Sequence, residues 1–388
     1  MPTLILPTDD GRLEPYATRQ PRSWDQPRGP FDRLALSAVH VVSDPLANND
    51  PWLTPAIDWD ATIAYRQYIW SLGLGVAEAM DTSQRGMGLG WSDALELISR
   101  SIKAARDFSG DAVIFSGAGT DHVAPTASVT IDDVIRGYEE QVSAIEALNG
   151  RIILMASRAL TVAAKSPDDY RRVYGHILRQ VREPVIIHWL GEMFDPALKG
   201  YWGHTDHSAA MDVCLDILAE HADKVDGIKI SLLNKDKEIS MRRRLPQGVR
   251  MYTGDDFNYP ELIAGDEHGY SDALLGIFAA IAPAASAALS AHKRGDIAQY
   301  NEILTPTLPL ARHIFKAPTQ FYKTGVVFMA YLNAHQSHFT MVGGQQSARS
   351  IAHLAQIFRL ADAAGLLTDP DIAASRMRAV LRVHGIDG

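Results

Sequence analysis

The sequence is poor in cysteine and has no excess of positive charge. Among its 388 residues Cys214 is the single cysteine, which excludes an internal disulfide and is typical of a protein kept in a reducing compartment. Asp and Glu outnumber Lys and Arg by 46 to 37, so the formal net charge is −9. This charge argues against a nucleic-acid partner or an anionic membrane surface, because both are bound by clustered lysines and arginines.

Long apolar runs are also missing. No stretch approaches the roughly 20 consecutive apolar residues that span a membrane, and residues 1–30 carry proline and charge in place of the apolar core of a secretory signal. Apolar residues make up 46% of the chain and charged residues 21%, as in globular proteins with a buried core. We therefore expect a soluble cytoplasmic protein with no membrane partner.

Short apolar segments alternate with helical patterns between residues 34 and 276. Such alternation predicts parallel strands joined by crossover helices, and eight units in about 250 residues match a closed (β/α)8 barrel. The candidate strands are residues 34–42, 75–80, 111–115, 151–156, 184–189, 225–232, 249–253 and 269–276.

An open doubly wound sheet fits the same alternation but usually has a glycine-rich phosphate turn after its first strand. Here that position holds Ser43-Asp44-Pro45, so the barrel is favoured. The pattern beyond Pro283 is helical. We predict an α/β fold: a (β/α)8 TIM barrel at residues 31–283, with an N-terminal arm at 1–30 and a helical extension at 284–388 packed on the barrel.

One lysine lies inside an apolar candidate strand. The stretch Val225–Leu232 reads Val-Asp-Gly-Ile-Lys-Ile-Ser-Leu, with Lys229 near its centre. Burial of an unpaired ammonium is costly, and the cost is relieved when the pKa falls and the amine becomes neutral. A neutral amine can attack a carbonyl and form a Schiff base. The alternative is that Lys229 lies at the strand end and reaches solvent or pairs with an acid.

Several short motifs resemble those of the dihydrodipicolinate synthase and N-acetylneuraminate lyase family of class I aldolases. Gly227-Ile228-Lys229 resembles the strand that carries the Schiff-base lysine of that family, and Thr253-Gly254-Asp255-Asp256 resembles a turn one strand later. Asp81-Thr82-Ser83 takes the place of the loop that binds the substrate carboxylate. Residues 285–388 resemble the helical C-terminal extension of the family. Ile187–Phe194 is similar to a stretch of an uncharacterised branch, the domain of unknown function numbered 993.

The resemblance implies an aldolase or lyase that acts on a small 2-keto acid or oxidised sugar through a covalent lysine Schiff base, without another cofactor. His188 stands where relatives have a catalytic tyrosine, so it is the expected proton shuttle beside Lys229. The partners expected are a small carbonyl substrate and further copies of the chain, in a dimer or tetramer. The expected substrate-binding residues are Thr82, Ser83, Arg158, Gly254, Asp255 and Asp256.

A divalent metal site is the main alternative. His204 and His207 are spaced to share one face of a helix, and Glu192, His188 and the Asp121-His122 pair are further candidate ligands. Barrels that isomerise or epimerise sugars hold divalent metals with such side chains. A sensor of sugars or keto acids is a third possibility, because fold alone does not specify function.

Overall fold

The computed structural model describes residues 1–25 and 30–387 of the chain. An antiparallel hairpin of β1 (Thr3–Pro7) and β2 (Leu13–Ala17) comes first. Eight parallel strands then close into a barrel in which sequence neighbours pair and the last strand pairs with the first, as predicted. The barrel strands are β3 (Ala35–Ala38), β4 (Gly75–Glu78), β5 (Ile114–Ala118), β6 (Arg151–Leu154), β7 (Val185–Leu190), β8 (Val225–Ser231), β9 (Arg250–Thr253) and β10 (Asp272–Leu275).

Helices separate consecutive barrel strands and continue after the last one. Those between strands are α1 (Trp59–Ser71), α2 (Trp91–Asp107), α3 (Ile131–Ala147), α4 (Arg158–Ala163), α5 (Pro167–Gln180), α6 (His207–Glu220), α7 (Lys235–Arg242) and α8 (Tyr259–Ala264). Those after β10 are α9 (Ile277–Ala280), α10 (Ala282–Lys293), α11 (Ile297–Leu304), α12 (Leu308–Ile314), α13 (Tyr322–Leu332), α14 (Ile351–Ala363) and α15 (Pro370–Val383). Within the described residues, no helix has both the length and the apolar character needed to cross a membrane.

The expected third strand at residues 111–115 is displaced by three residues in the structure, to Ile114–Ala118. Ser116 and Gly117 look like turn residues, but the barrel interior is crowded there. A methyl group at position 117 would lie 2.7 Å from Met155 Sδ and 2.8 Å from the carbonyl oxygen of Ala79. Glycine is therefore the residue that this part of the strand can accommodate.

The N-terminal arm contains the β1–β2 hairpin, which the sequence patterns did not predict. Its contacts are with the C-terminal helices. The Tyr16 hydroxyl donates to Asp362 Oδ2 at 2.7 Å, and the Arg359 guanidinium donates to the carbonyl oxygens of Leu6 and Pro7 at 3.1 and 2.9 Å. The hairpin thus ties the two ends of the chain together. The division at residues 30/31 and 283/284 stays a prediction.

Behind the strands, a buried ion pair joins α1 to β4. Arg66 and Glu78 are both fully buried, and two parallel hydrogen bonds of 2.9 Å link the guanidinium to the carboxylate. A third contact runs from Arg66 to the carbonyl oxygen of His40, after β3. Glu78 also accepts from the backbone N–H of Ala79 at 2.8 Å. This pair therefore holds the ends of β3 and β4 in place, directly before the segment that begins at Asp81.

We expect Arg66→Met to lower the free energy of unfolding by about 3–5 kcal/mol, because it leaves the Glu78 carboxylate buried without its partner. Urea denaturation measures the loss. Arg12→Met is the control, because Arg12 pairs with Asp10 on the surface and such pairs contribute little. Equal stabilities of the two variants would contradict the prediction.

Candidate functional site

Lys229 lies on β8 at the carboxyl-terminal half of the barrel, with its side chain directed inward. It is 8% exposed. Its neighbour in strand register on β7 is His188, and on β9 it is Tyr252, which packs in the barrel core. Among the described residues no carboxylate lies within ion-pair distance of its amine, and burial lowers the pKa of Lys229. The amine is thus enclosed, as the apolar strand predicted, and it is not held in a surface ion pair.

Gly254 makes room for the lysine side chain. A methyl group at this position would lie 2.8 Å from Lys229 Cε, 2.3 Å from Ser231 Oγ and 2.6 Å from the carbonyl oxygen of Ile230. All three neighbours belong to β8, so the chain directly after β9 approaches β8 more closely than a residue with a side chain would permit. The glycine therefore positions Lys229 against the neighbouring strand.

His188 is buried beside Lys229 and keeps one ring nitrogen without a partner. Its Nε2 lies 3.2 Å from Ser231 Oγ, while Nδ1 has no hydrogen-bond partner among the described residues. Burial, and to a smaller extent the positive charge of Lys229, hold the pKa of His188 well below its usual value. The imidazole is therefore neutral near pH 7 and available as a proton acceptor.

Two acidic residues act on the lysine. Asp256 is buried, accepts from the backbone N–H of Ile277 at 2.9 Å, and has its pKa raised by burial to about 7. The charges of Asp256 and, more weakly, Asp81 oppose the effect of burial on the pKa of Lys229. Because both Lys229 and Asp256 are desolvated, the neutral forms of the pair are favoured over the ions.

The two hydroxyls predicted to hold a carboxylate point in different directions. Ser83 donates to the backbone carbonyl of Val39 at 2.7 Å, a contact that ties its loop to the end of β3. Thr82 Oγ1 lies 2.8 Å from the hydroxyl of Tyr322, at the start of α13. Tyr322 is buried and close enough to Asp81 and Asp256 for both carboxylates to raise its pKa further. The C-terminal helices therefore contribute a phenol to the barrel mouth.

Asp255 and Arg158, the remaining predicted substrate contacts, differ in their surroundings. Asp255 accepts from the backbone N–H groups of Phe257 and Asn258 at 2.9 and 3.1 Å, so its carboxylate forms the turn after β9. Arg158 begins α4, and its Nε donates to Asp195. The side chain of Arg158 is 44% exposed and faces the open space of the barrel mouth.

Two adjoining cavities, of about 190 and 90 Å³, occupy the barrel mouth. Both are lined by Asp81, Arg158 and Asp195; the smaller also reaches His188, and the larger reaches Lys323 of α13. They are small beside the ~300–1,000 Å³ of sites for drug-sized ligands. Lys229 does not line either cavity, but its neighbour in strand register, His188, lines the smaller one.

The predicted metal ligands do not assemble. His207 Nε2 lies 3.1 Å from Glu192 Oε1, but the ammonium of Lys237 lies 2.6 Å from the other ring nitrogen, Nδ1. His204 takes no part in this cluster. In residues 1–25 and 30–387 no group of three or more His, Cys, Asp or Glu side chains is arranged to hold a metal ion. His207 and Glu192 are therefore best described as members of a polar network on the outer rim.

Tyr322 and Lys323 are site residues that the sequence patterns missed. Both belong to α13, whose residues after Thr324 are apolar or aromatic, and every residue of this helix is buried. A lysine in the first turn of a largely apolar helix is the sequence feature that could have identified Lys323, just as a lysine in an apolar strand identified Lys229. Helical periodicity gave no indication that α13 begins at the barrel mouth.

Solved structures of dihydrodipicolinate synthases share this architecture. The enzyme from Aquifex aeolicus has a TM-score of 0.59 at 12% identity, over 92% of this chain and 99% of that one. For the enzyme from Bacillus clausii the values are 0.61 and 14%, over 84% and 96%. A prophage protein of the dihydrodipicolinic acid synthase family from E. coli K12, solved with pyruvate, gives 0.63 and 12%, over 91% and 98%. At such identities the likeness establishes the fold alone.

The closed barrel with its helical C-terminal segment is thus a (β/α)8 barrel of the dihydrodipicolinate synthase type, as the sequence motifs suggested. Residues 4–386 match the family described as protein of unknown function DUF993, and the chain belongs to that family. No curated protein matches the chain.

We expect Gly254→Ala to lower the free energy of unfolding by about 1–3 kcal/mol, because its methyl group meets backbone as well as the lysine side chain. Gly119→Ala is the matched control in the same barrel mouth, since a methyl group there meets nothing closer than 3.6 Å. Urea denaturation compares the two. The packing argument fails if Gly254→Ala is as stable as the control.

Proposed function

We propose that the protein is a Schiff-base lyase or aldolase that acts on a small 2-keto acid or an oxidised sugar. The observation that carries the proposal is the enclosed, unpaired amine of Lys229 next to a small polar cavity. A lysine with an ordinary pKa of about 10.4 is protonated at neutral pH and does not attack carbonyls, whereas a desolvated one does. The dihydrodipicolinate synthase-type fold supports the same proposal by analogy.

In the proposed reaction, Lys229 Nζ bonds to the carbonyl carbon and the carbonyl oxygen leaves as water after two proton transfers. The resulting iminium accepts the electron pair of the neighbouring C–C bond, which breaks as the β-hydroxyl loses its proton, so that a carbonyl compound leaves and an enamine remains. For loss of water the iminium instead accepts the electron pair of a C–H bond, and the enamine then expels the β-hydroxyl, which takes up a proton and leaves as water. Protonation of the enamine and hydrolysis by water restore the lysine. His188, with a ring nitrogen unpartnered among the described residues, and Asp256, which titrates near neutrality, are proposed to move these protons.

The proposed roles of the other predicted residues follow from their contacts. Thr82, paired with Tyr322, offers hydroxyls to the oxygens of the substrate. Arg158 faces the cavity with a cation. Gly254 positions the nucleophile, while Ser83 and Asp255 hold the loops that carry Thr82 and Asp256.

Reductive trapping tests the proposal. We expect cyanoborohydride with pyruvate, other small 2-keto acids or keto-sugars to add one carbonyl compound to Lys229 at pH 7, where fewer than about 1 in 1,000 ordinary lysine amines are neutral. Lys229→Met should abolish the adduct, and Lys103→Met, which removes an exposed lysine of α2, should leave it unchanged. Mass spectrometry of peptides locates the label. An absence of any adduct on Lys229 across the panel would refute a Schiff-base enzyme.

We also propose that the protein is a homo-oligomer, a dimer or tetramer. In addition to the apolar C-terminal helices, the loop between β3 and α1 exposes Leu46, Trp52 and Leu53 at 91%, 75% and 76%, and exposed apolar clusters commonly mark protein contacts. Analytical ultracentrifugation should give a mass at least twice the 42.5 kDa of the chain. A monomer at micromolar concentration would contradict this proposal.

A further inference from the structure

A second enclosed lysine faces the barrel mouth from outside the barrel. Lys323, in the first turn of α13, is 4% exposed and lines the larger cavity together with Arg158 and Gln320. It has no part in the proposed chemistry of Lys229. A buried ammonium needs hydrogen-bond acceptors or counter-charge to offset its lost hydration, so its partners are informative.

The described contacts of Lys323 include no carboxylate, although its Nζ lies 4.9 Å from the centre of the Tyr322 ring. Its Nζ donates to the backbone carbonyl of Gln320 at 3.1 Å and contacts Met87 Sδ at 3.4 Å. Neither partner is charged, and an ammonium has three hydrogens to donate. Among the described residues no carboxylate lies within 4 Å of this nitrogen. Burial lowers the pKa of Lys323, and the more distant carboxylate of Asp81 opposes this effect. The charge of Arg158 lowers this pKa further, and Asp195 opposes it.

Arg158 offers a second, partly unused cation to the same cavity. Its Nε donates to Asp195, while its two terminal nitrogens have no hydrogen-bond partner among the described residues. Arg85, the third cation of the cavity wall, differs because it is already paired with Asp121 and donates to Gln141 at 2.9 Å. Lys323 and Arg158 are thus the donors that a ligand in the larger cavity can reach.

We propose that Lys323 and Arg158 bind an acid group of the substrate, a carboxylate, in the larger cavity. A carboxylate suits this place because it supplies the charge and the acceptor oxygens that both side chains lack. Asp81 and Asp195 also line the cavity and repel anions, and Asp195 is paired with Arg158 Nε. The acid group is therefore expected on the Lys323 and Gln320 side, and the carbonyl towards His188 and Lys229. The placement of the carbonyl rests on the proposed function, whereas the anion site does not.

Binding of oxalate tests the anion site independently of Schiff-base chemistry, because oxalate has no ketone. By calorimetry we expect the protein to bind oxalate and Lys323→Met to bind it about tenfold more weakly, as for loss of one hydrogen bond to a charged group. Lys323→Arg, which keeps the charge, should retain most of the affinity. Lys103→Met is the matched helix-lysine control and should bind as the parent does.

Trapping of Lys229 with pyruvate and with its uncharged amide tests whether the anion site binds the acid group of the substrate. We expect the parent protein to be trapped more efficiently by the acid than by the amide. In Lys323→Met the ratio of trapping by the acid to trapping by the amide should fall about tenfold, with trapping by the amide unchanged. If Lys323→Met does not fold, Lys323→Gln compared with Lys323→Arg gives the same contrast. Thermal denaturation reports the folding of each variant.

The outcomes separate the two proposals. Equal oxalate affinity in the parent and Lys323→Met, or no oxalate binding at all, overturns the anion site and indicates that Lys323 has a structural role only. An adduct on Lys323 in place of Lys229 also overturns it. Oxalate binding that depends on Lys323, without trapping by any carbonyl compound, supports the anion site and refutes the Schiff-base function.

Discussion

Desolvation of the Lys229 amine is the constraint on which the barrel mouth depends. An ammonium enclosed in the packed barrel interior is unstable relative to a neutral amine unless a carboxylate meets it. The described structure places no carboxylate in contact with it. Asp256, the acid that acts on it most strongly, is itself desolvated and titrates near neutrality. The protonation state of each group therefore depends on that of the other, which is not the case for an isolated buried group.

The neighbouring residues follow from this constraint. Gly254 is required because any side chain there would displace the lysine or the backbone of β8. The Arg66–Glu78 pair and the Ser83 hydrogen bond hold β3, β4 and the loop after β4. That loop carries Asp81 and Thr82 to the mouth. A site that depends on the exclusion of water from one amine needs such rigid walls, because small displacements admit water.

The fold and the burial of Lys229 could be predicted from local patterns because burial on both faces of a parallel strand makes a continuous apolar run, and Lys229 interrupts one. The start of β5 was misplaced because Ser116 and Gly117 have turn-like composition but occupy a crowded strand. The hairpin at Thr3–Ala17 was missed because its exposed second strand, Leu13–Ala17, has little apolar character. Sequence spacing could not show that the predicted metal ligands fail to assemble. It carries no information about Lys237, which comes from the next helix and contacts His207.

The site residues from α13 could not be predicted for a different reason. Tyr322 and Thr82 are separated by 240 positions, and no local pattern reports a contact of that range. Their contact bears on one departure from the family that the motifs resemble, the replacement of a tyrosine by His188. A phenol does stand at the barrel mouth, but it enters from the C-terminal helices and lies against Thr82. The proposed proton transfer therefore does not require a phenol from the fifth barrel strand.

Lys229 and Lys323 are both enclosed, but their surroundings differ and favour different roles. Lys229 has a neutral imidazole and a titrating carboxyl beside it, groups that can take its proton and return it. Lys323 has a backbone carbonyl and a thioether, which can do neither, and it lines open space together with an arginine. A nucleophile must lose its proton, and an anion-binding residue must keep it. The proton acceptors lie next to Lys229 and the unfilled cationic space lies next to Lys323, so we assign the proposed covalent chemistry to the strand and the proposed recognition to the helix.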